Sequence, residues 1–548
     1  MGNTSRRVRR GALPLLLLGT ITCGDQGGAD TPAALAPVVV SEAMLNLVPQ
    51  DAVIVLQMPS VSVLDAALAS FGAAIGASGS LSLTAFEELA TTSWWNHYVD
   101  LHRPALTAWR PGVYGDELSA VSIYPTTDAA AASAALRDES IHIDGSYVAS
   151  SPDANYVPGG SPSPLARDLP PGHISLRADV SALIAPVRPM LETVMTMAIA
   201  QSAASSAGPM DMAALMDAYF EMTLAALDGM ITAEAGLRLD GGRLTLEGSV
   251  QVSEDSPLAN LPSADCGSLE ELVTYVDAGA AFQMVMAVDA SAFADASHDI
   301  MLRTADAWPE STEDELYEYL ATLRLMGKRC GHVFVSDGSF GESGMQASYL
   351  FGAGEGEDTQ QFAEQLIGFM TSGVSFMGGN QVSTNAVEID GLAATEIIVD
   401  ISDMPIMPTG NATTDEAALK TFESLVGASG QMRYVAAATQ GHVVVTATTG
   451  DVEGRLLREA GTVPEALAGA LAYVDKEDTR IVFSIDYARM LRDMAPFFAT
   501  LTPGADSPFD AIREEDTLPV TFALGGSGTT WRFAIVADLD DLGRISRR

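Results

Sequence analysis

A cluster of aromatic and histidine side chains is the part of the sequence best suited to chemistry or ligand binding. It contains three of the five tryptophans and two of the seven histidines of the chain. Rigid aromatic rings give a contact surface and an imidazole can act as a general base. The cluster therefore permits an aromatic binding patch, or a secreted hydrolase of unfamiliar type that uses His97 or His102 with a nearby acid. Packing between a helix and the first β-hairpin is the interpretation that we favour. The cluster comprises Trp94, Trp95, His97, Tyr98, His102 and Trp109.

The rest of the sequence contains no recognisable catalytic or cofactor motif. The patterns G-x-S-x-G and H-E-x-x-H and the P-loop are missing. Gly352-Ala-Gly354-Glu-Gly356 lacks the glycine spacing of a dinucleotide loop, and its acidic neighbours would repel a pyrophosphate. His97 and His102, five positions apart, lie off a common helical face, which argues against a metal pair. We therefore predict no catalytic residue, no metal and no cofactor, and favour a non-enzymatic protein over an enzyme.

The N-terminus has the composition of an export signal. Four arginines between Arg6 and Arg10 precede a short apolar run, Leu13 to Ile21, and Cys23 follows. The run is too short to span a bilayer, so it predicts a signal core and not an anchor. The order resembles the signal of bacterial lipoproteins, in which a peptidase cuts just before a cysteine that is then acylated. We expect a signal peptide over 1–22, lipid on Cys23 and a flexible tether over 23–44. A plain secretory cut is the alternative.

The charge of the chain limits its partners. It carries 29 basic and 71 acidic residues, and without the four signal arginines 25 basic residues remain, a net charge of −46. Such a surface repels phosphate backbones and anionic headgroups, so nucleic-acid binding is excluded and the only membrane contact expected is the lipid anchor. A protein partner or an apolar ligand is compatible with this charge. We expect an outer-membrane lipoprotein that faces the periplasm or the cell surface, or alternatively a secreted protein.

Cysteine and methionine residues add two further hypotheses. If Cys23 carries lipid, Cys266 and Cys330 remain, and in an oxidising compartment they can form one disulfide or stay as two buried thiols. Eight of the 23 methionines lie between Met190 and Met230, on two predicted helices separated by a Gly-Pro pair. Methionine fills cores, and it also lines surfaces that accept varied apolar partners. A carrier of an apolar ligand beside these helices is therefore an alternative function.

Four strand-like runs each end in a helix-capping residue. The capping residues are Ser60, Asp179, Asp289 and Asp486, and each is followed by a helical pattern. Asp and Ser accept the free amide hydrogens of the first turn, so we interpret these carboxylates as caps and not as catalytic groups. Ile143-Asp144-Gly145 and Ile389-Asp390-Gly391 have the Asp-Gly pair of a tight β-hairpin.

The same order of elements occurs twice along the chain. Successive hairpins predict antiparallel sheets, and the intervening helices should pack mainly on one face. The sequence therefore predicts an α+β fold with two duplicated domains, the second with an inserted hairpin and helix near 398–445. We place domain 1 at 45–255, a linker at 256–269, domain 2 at 270–540 and a tail at 541–548.

A proline followed by a strand opens two of these segments. The residues are Leu47-Val-Pro49-Gln-Asp51-Ala-Val-Ile-Val55 and Leu169-Pro170-Pro-Gly-His-Ile-Ser-Leu176. In these runs and in its signal, the chain resembles an uncharacterised group of large, acidic, secreted proteins or lipoproteins of Gram-negative bacteria, classed as domains of unknown function. The resemblance implies an envelope location and supplies no activity. The sequence thus predicts a lipid-anchored envelope protein of unknown activity, most simply a binding or interaction protein.

Overall fold

The fold is α+β with antiparallel strands, as predicted, in a computed structural model of the chain. Many strands are joined by tight hairpins, so neighbouring strands run in opposite directions. The structure describes 40–77, 98–111, 118–136, 140–161, 163–205, 212–256, 269–288, 333–341, 344–352, 358–378, 382–389, 391–400, 431–439, 441–448, 460–474, 478–495 and 512–546, with a few single residues between these ranges.

The described residues divide into two compact units. The first contains the residues up to Glu192, Leu227–Ser256 and the C-terminal segment from Ile535, and the second contains Thr193–Ala226 and Pro257–Ala534. This division differs from the predicted consecutive domains, because the C-terminal segment belongs to the first unit. The backbone N–H of Leu539 donates to Gly242 O at 3.0 Å, and Asp540 Oδ1 accepts the N–H of Gly242 at 2.9 Å.

Among the described residues of the first unit, eight strands pair in the order β4-β5-β3-β2-β1-β6-β7-β8, all antiparallel. The strands are β1 (Ile54–Met58), β2 (Ala105–Pro111), β3 (Leu118–Pro125), β4 (Ser140–Asp144), β5 (Tyr147–Ser151), β6 (Ile174–Asp179), β7 (Met230–Asp240) and β8 (Arg243–Val252). The turn between β4 and β5 is the predicted Asp-Gly hairpin, and Gly145 has a φ of 59° there, which glycine adopts without steric cost.

The helices of the first unit begin at the capping residues that the sequence predicts. Ser60 Oγ accepts the N–H of Val63, and Asp179 Oδ1 accepts the N–H of Ala182 at 2.9 Å. The helices are α1 (Glu42–Asn46), α2 (Val61–Ala74), α3 (Ala129–Ala135), α4 (Val180–Ser205), α5 (Met212–Asp228) and, near the C-terminus, α10 (Leu542–Ile545); a 3₁₀ turn covers Pro164–Ala166. The segment Thr193–Ala226, which contains the C-terminal half of α4 and most of α5, is assigned to the second unit.

Both faces of the first sheet carry apolar clusters. Val55, Ala108 and Val121 are paired across three strands and form a cluster with α1 and the buried Tyr156. Side chains alternate between the faces of a strand, so Met58 and Val148 lie on the opposite face. There Met58 joins the cluster of α2, and Val148 joins that of α3. Helices α2 and α3 thus share one face, whereas α1 and the loop around Tyr156 cover the other.

The second unit contains a sheet in the order β12-β13-β14-β15-β11-β10-β9-β16-β17. Its strands are β9 (Phe282–Ala287), β10 (Val333–Gly341), β11 (Gly344–Gly352), β12 (Val382–Ile389), β13 (Leu392–Asp400), β14 (Gln431–Ala438), β15 (His442–Thr448), β16 (Thr479–Asp486) and β17 (Pro519–Ser527), and a two-residue turn leads to β18 (Thr530–Asp538). The hairpin of β14 and β15 lies in the segment for which the sequence predicts an insertion.

One long helix covers much of one face of this sheet. The helices of the unit are α6 (Leu269–Leu272), α7 (Thr359–Gly378), α8 (Glu465–Leu471) and α9 (Tyr487–Asp493), with a 3₁₀ turn at Val273–Tyr275. Phe362 and Leu366 of α7 pack on Ala436, Val443 and Val445. As predicted, Asp486 caps a helix, because its Oδ1 accepts the N–H of Arg489 at 3.2 Å. The capping prediction for Asp289 lies outside the described residues.

Candidate functional site

The described members of the predicted aromatic patch have separate neighbours. Trp94, Trp95 and His97 lie outside the described residues. Tyr98 packs beside the cluster of α3, and Trp109 lies in β2, paired with Ile54 of β1. His102 lies in the turn before β2 and is exposed. In the described part of the patch the structure therefore places no two of these rings together.

His102 makes a contact that could support chemistry. Its Nδ1 lies 2.9 Å from Ser62 Oγ, and Ser62 Oγ lies 2.9 Å from Ser60 Oγ. A hydroxyl within about 3.2 Å of an imidazole nitrogen has the geometry of a nucleophile and its general base. Asp100 is close in sequence, and its Oδ1 accepts the backbone N–H of His102 at 3.2 Å.

The surroundings of Ser62 favour a structural role for this pair. Ser62 lies in the first turn of α2, where free amide hydrogens could stabilise an oxyanion. The N–H of Ser62 donates to Leu101 O at 3.0 Å, and the N–H of Val63 donates to Ser60 Oγ at 3.3 Å. Ser60 Oγ also donates to Leu101 O at 2.9 Å. These two N–H groups are thus committed to protein acceptors, and the contacts with Leu101 and His102 hold the start of α2 against the turn at 100–103.

The predicted lipidation and disulfide residues lie elsewhere in the chain. Cys23, Cys266 and Cys330 are all outside the described residues. Within the described ranges, no group of three or more His, Cys, Asp or Glu side chains is arranged to hold a metal ion. Lipidation and disulfide formation therefore remain predictions.

A polar row on the second sheet, with five buried residues, was not predicted from the sequence. Thr521 pairs with Ser484, Ser484 with Gln283, and Ser348 with Thr446, while Asp337 is the register partner of both Gln283 and Ser348. The row thus crosses six neighbouring strands. The next row on the same face is apolar and buried, and comprises Ala523, Val482, Val285, Val335, Leu350 and Val444. Within its own strand, each polar residue fits the ordinary alternation of side chains between the two faces. Only the order and register of the strands bring these residues into one row.

The two ends of this polar row differ in hydrogen bonding. Ser484 Oγ and Thr521 Oγ1 lie 2.8 Å apart and form a hydrogen bond. Among the described residues, Ser348 Oγ, Thr446 Oγ1 and Gln283 Oε1 are buried without a hydrogen-bond partner, although Gln283 Nε2 donates to Asp277 O at 3.1 Å. A buried polar atom without a partner costs about 1–3 kcal/mol. The row therefore contains one stabilising hydrogen bond and three buried polar atoms that lower the stability of the fold.

We expect the same substitution to have opposite effects at the two ends of the row. Thr446 and Thr521 are each 1% exposed. Thr446→Val removes an unpartnered hydroxyl and should leave stability unchanged or raise it by up to about 1 kcal/mol. Thr521→Val leaves Ser484 Oγ without its partner and should cost about 1–2 kcal/mol. Urea unfolding followed by circular dichroism measures both, and an equal loss in the two variants would contradict the difference.

His173 is a buried histidine for which the sequence predicts no role. Its Nδ1 accepts the N–H of Leu239 at 3.0 Å, so this nitrogen is unprotonated. Burial lowers the pKa of His173 below its ordinary value, and the positive charge of Arg238 also lowers this pKa, while Asp240 opposes both effects. The surrounding structure therefore favours the neutral ring.

This shift predicts a pH dependence of stability. The unfolded chain protonates His173 as the pH falls through about 6.5, whereas the folded chain does so only at lower pH. The associated stability is complete above about pH 6.5 and is lost as the pH falls towards the folded pKa, with a slope of at most about 1.4 kcal/mol per pH unit. His173→Asn keeps an acceptor for Leu239 and does not titrate. Urea unfolding at pH 7.5 and 5.5 should show a larger loss for the parent than for His173→Asn, and parallel losses would contradict the assignment.

The methionine-rich segment forms the two predicted helices, α4 and α5, and α4 exposes apolar side chains. Met190, Val194 and Met197 are 60%, 56% and 64% exposed, at the i, i+4, i+7 spacing of one helix face. Pro186 and Pro189 lie inside α4. Among the described helices, none is singly long and apolar enough to cross a membrane, and one pair, Val180–Pro186 with Arg188–Ala200, passes by length and composition together but is bent by 59°.

Comparison of the chain with known protein families, with curated proteins and with solved structures gave no match.

Proposed function

We propose that this chain is a cell-envelope protein, anchored by lipid on Cys23, that acts by binding and not by catalysis. The single observation that carries the proposal is the order of the N-terminus, with arginines, a short apolar run and Cys23. The anchor places the protein at an outer membrane, facing the periplasm or the cell surface. A protein partner or an apolar ligand is the expected target.

A binding role is supported by the chemistry of the described residues. Beside the Ser62 hydroxyl, the N–H groups of Ser62 and Val63 already donate to Leu101 O and Ser60 Oγ, so neither is available to an oxyanion. The excess of acidic residues disfavours anionic substrates and nucleic acid. A hydrolase that uses His102 is the alternative, and Ser62→Ala would abolish its activity while leaving a binding protein functional.

We also propose that the two units are copies of one α+β module. In each, a central strand is flanked by a hairpin and a capped strand, giving β3-β2-β1-β6-β7 in the first unit and β11-β10-β9-β16-β17 in the second. Individual contacts agree, because Asp179 N donates to Val53 O at 2.8 Å and Asp486 N donates to Ala281 O at 2.9 Å. These contacts make Val55 and Gln283 equivalent positions.

The proposed equivalence changes how the hairpins are matched. The sequence suggests that Ile389-Asp390-Gly391 corresponds to Ile143-Asp144-Gly145. In strand pairing, however, β15 lies beside β11 as β5 lies beside β3, so β14 and β15 take the place of β4 and β5. The hairpin of β12 and β13, which contains Gly391, is then the added one. In this alignment the apolar cluster around Val55 in the first unit corresponds to the polar row around Gln283 in the second.

The anchor is tested by replacing its cysteine in cells. The full chain with a C-terminal tag is expressed in a Gram-negative host, labelled with radioactive palmitate and fractionated. We expect the parent in the membrane fraction with label, and Cys23→Ser without label. Cys266→Ser is the matched control and should behave as the parent. A parent that never incorporates palmitate contradicts the proposal.

The binding role is tested by crosslinking in the same cells, followed by mass spectrometry of the tagged chain. A specific crosslinked partner or a co-purifying apolar ligand is the expected result. A ligand-free monomer without crosslinks, or a hydrolytic activity that Ser62→Ala removes, would contradict a binding function.

A further inference from the structure

The exposed apolar stripe on α4 is unusual for the surface of an acidic protein. Met190, Val194 and Met197 are each more than half exposed and follow one another along a single helix face. The other side of the helix is apolar as well, with Leu191, Met195 and Ile199 half-buried. A helix that is apolar all round normally lies in a protein core or in contact with lipid. These exposed side chains therefore need an apolar surface to pack against.

The ionised side chains near the stripe are paired with one another. Arg188 and Glu192 are the only ionisable residues of α4. Arg188 forms ion pairs with Glu192, at 2.9 Å, and with Asp228 at the end of α5. Pairing reduces the cost of bringing these charges to an apolar phase. No cluster of lysine or arginine is present on α4, so its contact would depend on apolar burial and not on attraction to anionic lipid.

The stripe lies within reach of the predicted anchor. The backbone N–H of Asp179, just before α4, donates to Val53 O, thirteen residues after the first described residue, Val40. Cys23 precedes Val40 by seventeen residues, which span at most about 60 Å when fully extended. Met190 is ten residues into α4, a rise of about 15 Å. The exposed face of α4 can thus reach a bilayer that holds the lipid on Cys23.

We propose that Met190, Val194 and Met197 form a second membrane contact, which enters the apolar boundary of a neutral bilayer. This inference rests on the proposed lipid anchor, which supplies the bilayer at short range. Burial of the stripe would add its own apolar contribution to the membrane binding that the lipid on Cys23 supplies.

Vesicle flotation of the mature chain that starts at residue 23, with Cys23→Ser, tests the stripe without the lipid. The vesicles are phosphatidylcholine alone or phosphatidylcholine mixed with anionic phosphatidylglycerol. We expect the chain to float with the neutral vesicles, with little effect of sodium chloride, and less with the anionic ones. Met190→Glu should lower the partition into the vesicles by about tenfold or more, because the methionine side chain that would be buried in the bilayer is lost. Met190→Leu keeps an apolar side chain at this position and should partition as the parent does.

Val157→Glu is the matched control. Val157 is 69% exposed in a loop of the first unit, so the substitution adds the same charge away from the stripe. Its partition should equal that of the parent. Equal partition of Met190→Glu and Val157→Glu, or no flotation of the parent, overturns the inference. It is also overturned if sedimentation shows that the parent is a dimer and Met190→Glu a monomer, because the stripe then binds a second copy. Palmitate labelling of Cys23 reports on the anchor separately, so failure of the anchor and failure of the stripe are distinguishable.

Discussion

Gly543→Ala is expected to lower the free energy of unfolding by about 3 kcal/mol or more, because the added methyl group has no room. A Cβ atom at Gly543 would lie 2.5 Å from Ala74 O and 2.7 Å from Gly76 N. These are backbone atoms at the end of α2, which cannot move aside as a side chain would. Leu539 and Leu542 join the apolar cluster of α2 around this approach. The substitution should therefore detach the C-terminal segment from the first unit.

Gly368→Ala is the control for this substitution. Gly368 lies inside α7, and a Cβ atom there would meet no heavy atom within 4 Å. Alanine is the better helix former, so this variant should gain about 0.5–1 kcal/mol. Urea unfolding measures both, and limited proteolysis should cleave Gly543→Ala near the C-terminus. A Gly543→Ala variant as stable as the parent would show that the close approach does not exist.

Arg177→Met is expected to cost about 2–3 kcal/mol, because several groups lose a charged donor at once. Arg177 Nε donates to Glu234 Oε2 at 3.0 Å, and Nη2 makes a second contact with the same oxygen. Nη1 and Nη2 also donate to the backbone oxygens of Arg167 and Asp168. Asp168 has a φ of 50°, an uncommon value for a residue with a side chain. Arg177 therefore holds this strained loop on the first sheet.

Arg188→Met is the matched control, since Arg188 also pairs with two carboxylates, Glu192 and Asp228, but in an exposed setting. Exposed ion pairs contribute little to stability. Urea unfolding should separate the two variants, and proteolysis should show earlier cleavage of the loop at 164–168 in Arg177→Met. Equal stability of Arg177→Met and Arg188→Met would contradict this role of the guanidinium group.

Local features of the fold could be predicted from the sequence. The capping residues Ser60, Asp179 and Asp486 each accept a backbone N–H three positions further along the chain, so their chemistry is visible in a short window. The Asp-Gly pair at Gly145 likewise encodes its own hairpin. Such signals determine the type and order of elements, and hence the α+β class.

Long-range features could not be predicted in the same way. The polar row depends on the register of six strands, and Ser348 and Thr446 are almost one hundred positions apart. The contact of Ser62 with His102 joins residues 40 positions apart, and that of Gly242 with Asp540 joins residues 298 positions apart. No local preference encodes these pairs, since they arise from the packing of the whole sheet. The sequence indicated His102 as a candidate for chemistry, whereas its partner Ser62 could be identified only from the fold.

Mass spectrometry of the N-terminal peptide tests the central proposal most directly. The tagged protein is purified from membranes of the expressing cells and digested. We predict that the first residue of the mature chain is Cys23 and that its peptide carries the mass of a diacylglyceryl group. A mature chain that begins at another residue, or an unmodified Cys23, would contradict a lipid-anchored envelope protein.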